Sequence, residues 1–211
     1  MHISLYLQQL RRELPQNAEP AMDHLESEIE IARVQQMMES MSLLSQDPGS
    51  LTPEILHLDQ WLRDLLPLYQ EAAETLGCSF ETRLDASSSI RASDSALRQI
   101  FSNLISNAFR YAVPASAIHV SVVQDGPLWV ALSVANPSTP PTVDPLLLAQ
   151  PFVRGANDRE GTGLGLAVVE NLCQAMGARF SCRYAEGIFS ARVLLPRATP
   201  DSKTASVLAT Q

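Results

Sequence analysis

The stretch Gly161-Thr162-Gly163-Leu164-Gly165-Leu166 limits what this chain can fold into more than any other. Three of the nine glycines fall within five residues and run directly into Ala167-Val168-Val169-Glu170-Asn171-Leu172, an apolar segment with helical character. Glycine accepts positive φ and lets a ligand come close to the backbone. The unpaired N–H groups of a helix start then face outward, with the positive end of the helix dipole behind them. That setting suits a phosphate. Two readings are open at this point: a phosphate cradle, or a tight connection into a helix.

A second stretch, residues 97–111, carries Leu97, Ile100, Phe101, Leu104, Ile105 and Ala108 at helical spacing, which predicts a core-facing helix. Asn103 and Asn107 lie four apart and are therefore neighbours on one side of it. Asparagine is a middling-to-poor helix former, so two on one stripe need a reason. They are either solvated and bonded to neighbouring side chains, or amide oxygens offered to a hard cation such as Mg²⁺.

The rest of the chain divides by pattern. Ile3, Leu7, Leu10 and Leu14 are spaced 4, 3 and 4 apart, and a second apolar stripe runs from Met22 to Leu44 with one phase slip. These predict a helical hairpin over 1–48, serving either as a dimerisation element or as packing for its own downstream domain. Asp47-Pro48-Gly49-Ser50 marks a linker at 49–54. A mixed α/β domain is expected over 55–197. Within it, Asp59 would cap a helix carrying Leu62, Leu65, Leu66, Tyr69, Ala73 and Leu76 inward, kinked at Pro67 and ended by Gly77. Cys78, Phe80 and Thr82 alternate as a strand, and Ile118, Val120 and Val122 run into Asp125-Gly126, a hairpin signal. Leu128, Val130, Leu132 and Val134 give the returning strand, which Asn136-Pro137 is expected to break. A long irregular segment over about 137–162 reads as a lid. The helix after the glycines should stop at Gly177, with two strands turning at Glu186-Gly187 and a flexible tail over 198–211.

The net charge of -8 argues against a nucleic-acid partner. Cys78, Cys173 and Cys182 have no metal-like spacing, which suits reduced thiols in a cytoplasmic protein. No apolar run approaches the ~20 residues of a membrane span, so no membrane contact is expected of this stretch.

With these pieces laid out, the order of motifs resembles that of two-component sensor histidine kinases. Asn103-(x)3-Asn107 followed by Arg110-Tyr111 resembles their N box, Pro151-Phe152-Val153-Arg154-Gly155 their F box, and Gly161-Thr162-Gly163-Leu164-Gly165-Leu166 their second glycine box. The resemblance implies an α/β (α+β) architecture: an N-terminal helical hairpin followed by a two-layer α/β sandwich of the Bergerat type. It also implies the cofactors ATP and Mg²⁺. Asn107 would be the Mg²⁺ ligand with Asn103 beside it, Arg110 would reach phosphate oxygens, and Tyr111 would lie against the adenine. The backbone around Gly161, Thr162, Gly163, Leu164 and Gly165 would hold phosphates. Phe152 would anchor the lid, with Arg154 close by in the same box. Implied partners are a response regulator receiver domain and a second copy of the chain through the hairpin. The implied location is the cytoplasm, or the cytoplasmic portion of an inner-membrane sensor.

Two departures from the family pattern bear on function. After the strand ending near Val134 the family has an aspartate and glycines, whereas this chain has Asn136-Pro137-Ser138-Thr139-Pro140. Asn136 retains an acceptor oxygen but loses the charge-assisted part of an adenine contact, of order 1 kcal/mol. Weakened adenine recognition is the expectation, with a degenerate nucleotide-binding or scaffold domain that regulates a partner kinase as the alternative function. The second departure is that His2 lacks the neighbours of a phosphoacceptor, and His24, His57 and His119 sit in no such context. The expectation is a chain without its own acceptor histidine, either a piece of a longer kinase or a specialised product.

Overall fold

The computed structural model describes residues 31, 34, 35, 37, 38, 41, 42, 51–85, 89–153 and 162–198. The sequence-predicted hairpin therefore lies largely outside the described residues; its seven described positions are helical, with Ile31, Val34, Met38 and Met41 exposed.

From Leu51 the chain enters strand β1 (Glu54–His57), which pairs antiparallel with β3 (Ser89–Ala92) in a two-stranded sheet. Glu54, assigned to the linker from sequence, is thus already paired, opposite Ala92. Helix α1 (Leu58–Leu65) starts one residue ahead of the expected cap; Asp59 lies in its first turn and His57 stands at the N-cap with no side-chain bond. The expected kink is a complete break, because Pro67 has no N–H to continue the ladder and instead opens a second helix, α2 (Pro67–Thr75), at its first position. Leu62, Leu65 and Ala73 are buried as expected, whereas Leu76 is exposed past the end of α2. Gly77, at φ +67, ends α2: its N–H reaches Glu74 O and the Cys78 N–H reaches Ala73 O.

Strand β2 (Ser79–Leu84) leads through β3 to helix α3 (Asp94–Tyr111), capped by the Ser93 hydroxyl on the Ala96 N–H. Strands β4 (Ala117–Asp125) and β5 (Trp129–Pro137) form the hairpin that Asp125-Gly126 announced. Leu128 lies outside the strand and is exposed. Helix α4 (Gly165–Ala175) is followed by β6 (Arg179–Ala185) and β7 (Ile188–Pro196), which turn on Glu186 and Gly187, both at positive φ. The main sheet runs β2-β4-β5-β7-β6, with β2 and β4 parallel and the remaining pairs antiparallel. The parallel pair requires a crossover, which α3 supplies.

One sheet face and helices α1 to α4 share a single core. Ile118, Val120 and Val122 of β4, Val130, Leu132 and Val134 of β5, and Ala191, Val193 and Leu195 of β7 alternate onto that face. Against them lie Leu97, Ile100, Phe101, Leu104, Ile105 and Ala108 of α3, Val168, Val169 and Leu172 of α4, and Leu58 and Leu62 of α1. Each large side chain buried there contributes roughly 1.5–3 kcal/mol of transfer free energy. Phe101 is the keystone, fully buried and edge-on to Trp61 at 5.8 Å and to Tyr69 at 5.7 Å. The Trp61 indole donates to Asp94 at 2.7 Å, and Arg98 bonds the other carboxylate oxygen at 2.7 Å, tying α1 to the start of α3. The hydrogen bond from Arg98 holds the Asp94 carboxyl below its usual range; burial opposes it, and the hydrogen bond from Trp61 adds a lesser lowering. Among the described residues no helix is long and apolar enough to cross a membrane.

Candidate functional site

The site is built where the second half of α3 passes the start of α4. The apolar stripe of α3 faces the sheet, which leaves Asn103 and Asn107 half-buried on its flank. Asn103 donates through Nδ2 to the Gln99 carbonyl one turn back at 2.9 Å. That bond commits the nitrogen and turns Oδ1 toward α4. A Cβ built on Gly165 would stand 3.1 Å from Asn103 Oδ1, tighter than ordinary van der Waals contact. Gly165 is not at positive φ, so the glycine is favoured by this close approach rather than by its backbone angle. The second asparagine, Asn107, makes no side-chain hydrogen bond among the described residues.

The glycine stretch itself is ordered by short local bonds. Gly163 sits at φ +68, a region that favours glycine, and its carbonyl accepts from the Phe152 N–H at 2.9 Å. The Thr162 hydroxyl accepts from the Leu164 N–H at 3.3 Å. Leu164 is fully buried at the N-cap of α4 and has no capping side chain of its own. The first-turn N–H groups of α4 therefore meet no side-chain acceptor at the cap, as an anion-binding helix start requires. Phe152 is held at φ +65 and is 58% exposed, a strained and solvent-facing position for so large an apolar residue. Of the sequence-predicted residues, Arg154 and Gly161 lie outside the described residues. Arg110 and Tyr111 occupy the last turn of α3, both exposed.

The opposite wall is the end of β5. The expected break at Asn136-Pro137 does not occur there: Asn136 pairs with Phe189 and Pro137 with Ile188, so both belong to the strand. Proline is tolerated because β5 ends at this point. Asn136 follows Val134 onto the core face and is only 1% exposed. Its Nδ2 donates to the Pro137 carbonyl at 3.1 Å, and the same carbonyl accepts from the Val113 N–H at 2.9 Å. The Ser138 N–H then donates to the Gly187 carbonyl at 2.9 Å, and the Tyr184 hydroxyl donates to the Ser138 carbonyl at 3.2 Å. Sequence reasoning found Asn136 but missed Val113 and Tyr184. The only sequence signal for Tyr184 was an aromatic with a polar tip on the inward phase of β6.

Among the other chemically interesting groups, all three cysteines are buried free thiols. Burial raises the thiol of Cys173 far above its ordinary value and that of Cys182 to about 12, with Glu170 adding a smaller charge effect in both cases. Neutral, enclosed thiols are poor nucleophiles.

Comparison with known proteins fits this geometry. The profile of the histidine kinase-, DNA gyrase B- and HSP90-like ATPases matches residues 92–201. The chain is 32% identical over 154 residues to the sensor histidine kinase CusS of Escherichia coli O157:H7, covering 69% of this chain and 32% of that one. It is 37% identical over 103 residues to a sensor-like histidine kinase of Rhizobium meliloti, covering 46% of this chain and 19% of the relative. This chain thus spans about a third or less of the length of these relatives. In fold it is similar to the histidine kinase AdeS of Acinetobacter baumannii, with a TM-score of 0.68 at 16% identity over 92% of this chain and 93% of that one. Full-length ShkA gives a TM-score of 0.71 at 24% identity, covering 89% of this chain and 40% of ShkA.

Proposed function

The chain belongs to the histidine kinase-, DNA gyrase B- and HSP90-like ATPases, as an ATPase domain of the sensor histidine kinase type, and on that premise we propose that it binds Mg-ATP and presents the γ-phosphate to a histidine. Transfer to the receiver domain of a response regulator would follow. The observation that carries this reading is the contact of Asn103 Oδ1 with Gly165, because it joins the asparagine stripe and the glycine stretch in one site. The residues fit the ligand. Asn107 offers an amide oxygen without a competing partner among the described residues, the α4 start offers N–H groups, and Arg110 adds a cation on the same helix. Bound magnesium would neutralise phosphate charge and hold the phosphate oxygens in place. The protein's own contribution is positioning: Asn103 spaces the two helices, Asn107 and Arg110 orient the phosphates, and Asn136 meets the base.

This chain is expected to act on a histidine outside its own four. Incubation with γ-labelled ATP and Mg²⁺, followed by an assay for acid-labile phosphate, should leave the chain unlabelled; label on His2, His24, His57 or His119 would refute that assignment. A second reading, nucleotide binding without turnover in service of a partner kinase, is favoured by the stiff Asn136–Ser138 wall. Labelling of an isolated kinase hairpin supplied in trans would exclude it.

A further inference from the structure

A cavity of about 300 Å³ opens at the C-terminal end of α4. Its walls come from well-separated parts of the chain: Leu51 and Pro53 ahead of β1, Arg91 in β3, Ala175 and Met176 at the end of α4, and Pro196 closing β7. Helix α4 has 11 residues, a length of about 16 Å, so this cavity and the glycine stretch lie at opposite ends of one helix. The wall carries two polar side chains. Ser93 is 4% exposed and already committed, its hydroxyl 3.0 Å from that of Ser95 and accepting from the Ala96 N–H at 3.5 Å. Arg91 differs. It is exposed and makes no hydrogen bond or ion pair among the described residues, although Arg83, Arg98 and Arg192 all pair with aspartates. Glu54, the neighbouring acid on β1, stands opposite Ala92 and does not pair with it. Ile55, directly opposite Arg91, is 67% exposed and extends the apolar surface beside the guanidinium. A solvated surface arginine needs no hollow beside it, and a packing gap needs no cation. Here the two coincide, in a chain whose net charge is -8.

From this coincidence we infer that the cavity is a binding site for a small amphiphilic carboxylate, an alkyl chain ended by one carboxylate. The volume is at the small end of the range that ligand pockets occupy, which suits one short chain and not a two-chain lipid. The chain lies against Leu51, Met176 and Pro196, where the unbranched thioether of Met176 adapts to its shape. The carboxylate meets the planar fork of Arg91, which matches its two oxygens. A free inorganic anion would gain nothing from the apolar wall, and a neutral alkyl chain nothing from the guanidinium. The site is separate from the nucleotide site and does not depend on the nucleotide reading.

The test is calorimetric titration of the full chain with sodium octanoate below its micellar range, beside hexanoate, octanol and octylammonium. Octanoate should bind saturably with one molecule per chain. Hexanoate should bind at least about threefold more weakly, because two methylenes leave the apolar wall. Octylammonium should bind at least about threefold more weakly than octanoate, and Arg91→Glu should reverse that preference. Ala175→Leu fills the hollow with a good helix former and leaves Arg91 in place, so octanoate affinity should fall about tenfold at a near-constant thermal midpoint. Octanol or octylammonium binding as tightly as octanoate would overturn the carboxylate assignment. Unchanged octanoate binding in Ala175→Leu would overturn the cavity as its place. No saturable heat up to roughly 10 mM octanoate would overturn the site altogether.

Discussion

The two walls of the site solve the same problem with opposite materials. The α3–α4 wall relies on leaving atoms out: a Cβ on Gly165 would stand 3.1 Å from Asn103 Oδ1, and Gly163 takes a φ of +68. The β5 wall relies on adding constraints. Pro137 fixes its own backbone, its carbonyl orients Asn136, and Tyr184 and Gly187 hold Ser138 from across the sheet. A polyanion demands close backbone approach and many N–H donors. A base demands few contacts held at exact orientation, and those tolerate a stiff, glycine-free strand end. The comparison teaches that losing glycines on one wall need not signal decay of the site, provided the other wall keeps them.

The largest expected effect separates the walls. Asn107→Ala should weaken Mg-ATP binding by about 2 kcal/mol, or roughly thirtyfold, because it removes an oxygen offered to a charged centre. Binding of adenosine, which has no phosphates, should change by less than about twofold. Equal losses for both ligands, measured by competition, would show that the two walls are not independent.

How far this division could be read from the sequence follows the range of the interactions. The α3 stripe and the α4 start were legible because both rest on local periodicity: Leu97 to Ala108 repeat at helical spacing, and the glycines immediately precede an apolar helix. The β4–β5 hairpin was legible for the same reason, through Asp125-Gly126. The end of β5 was misread as a break because Asn-Pro is a turn signal in isolation, while its pairing with β7 is contributed by residues about 50 positions away. Strands β1 and β3 escaped notice because each has only four residues, too few for an alternation to register. Tyr184 was invisible as a site residue because its partner, Ser138, is 46 residues away.

A smaller effect sharpens the account of the phosphate wall. Gly165→Ala places a methyl 3.1 Å from Asn103 Oδ1, and the bond to Gln99 keeps that side chain from simply turning away. The affinity for Mg-ATP should fall by about 1 kcal/mol, roughly fivefold. The thermal midpoint should hold, because alanine is the better helix former and offsets the crowding. A fall in the midpoint with no loss of affinity would mean that the contact serves folding alone.

The smallest effect lies outside both walls and controls for them. Asp94→Asn removes the charge that pairs with Arg98, at an expected cost of about 0.5 kcal/mol for so exposed a pair, with nucleotide affinity unchanged. The folded state holds the Asp94 carboxyl below its usual range, so its contribution is present at neutral pH and is lost as pH falls through the folded-state value. Melting of wild type and Asp94→Asn should therefore converge in acid. Divergence there would mean that the carboxylate acts by some route other than its charge.

The most direct test of the central claim is a calorimetric titration of the full chain with ATP, with and without Mg²⁺. The account expects saturable heat with Mg²⁺ and a marked loss of affinity in its absence or in Asn107→Ala. No heat up to millimolar Mg-ATP would contradict it.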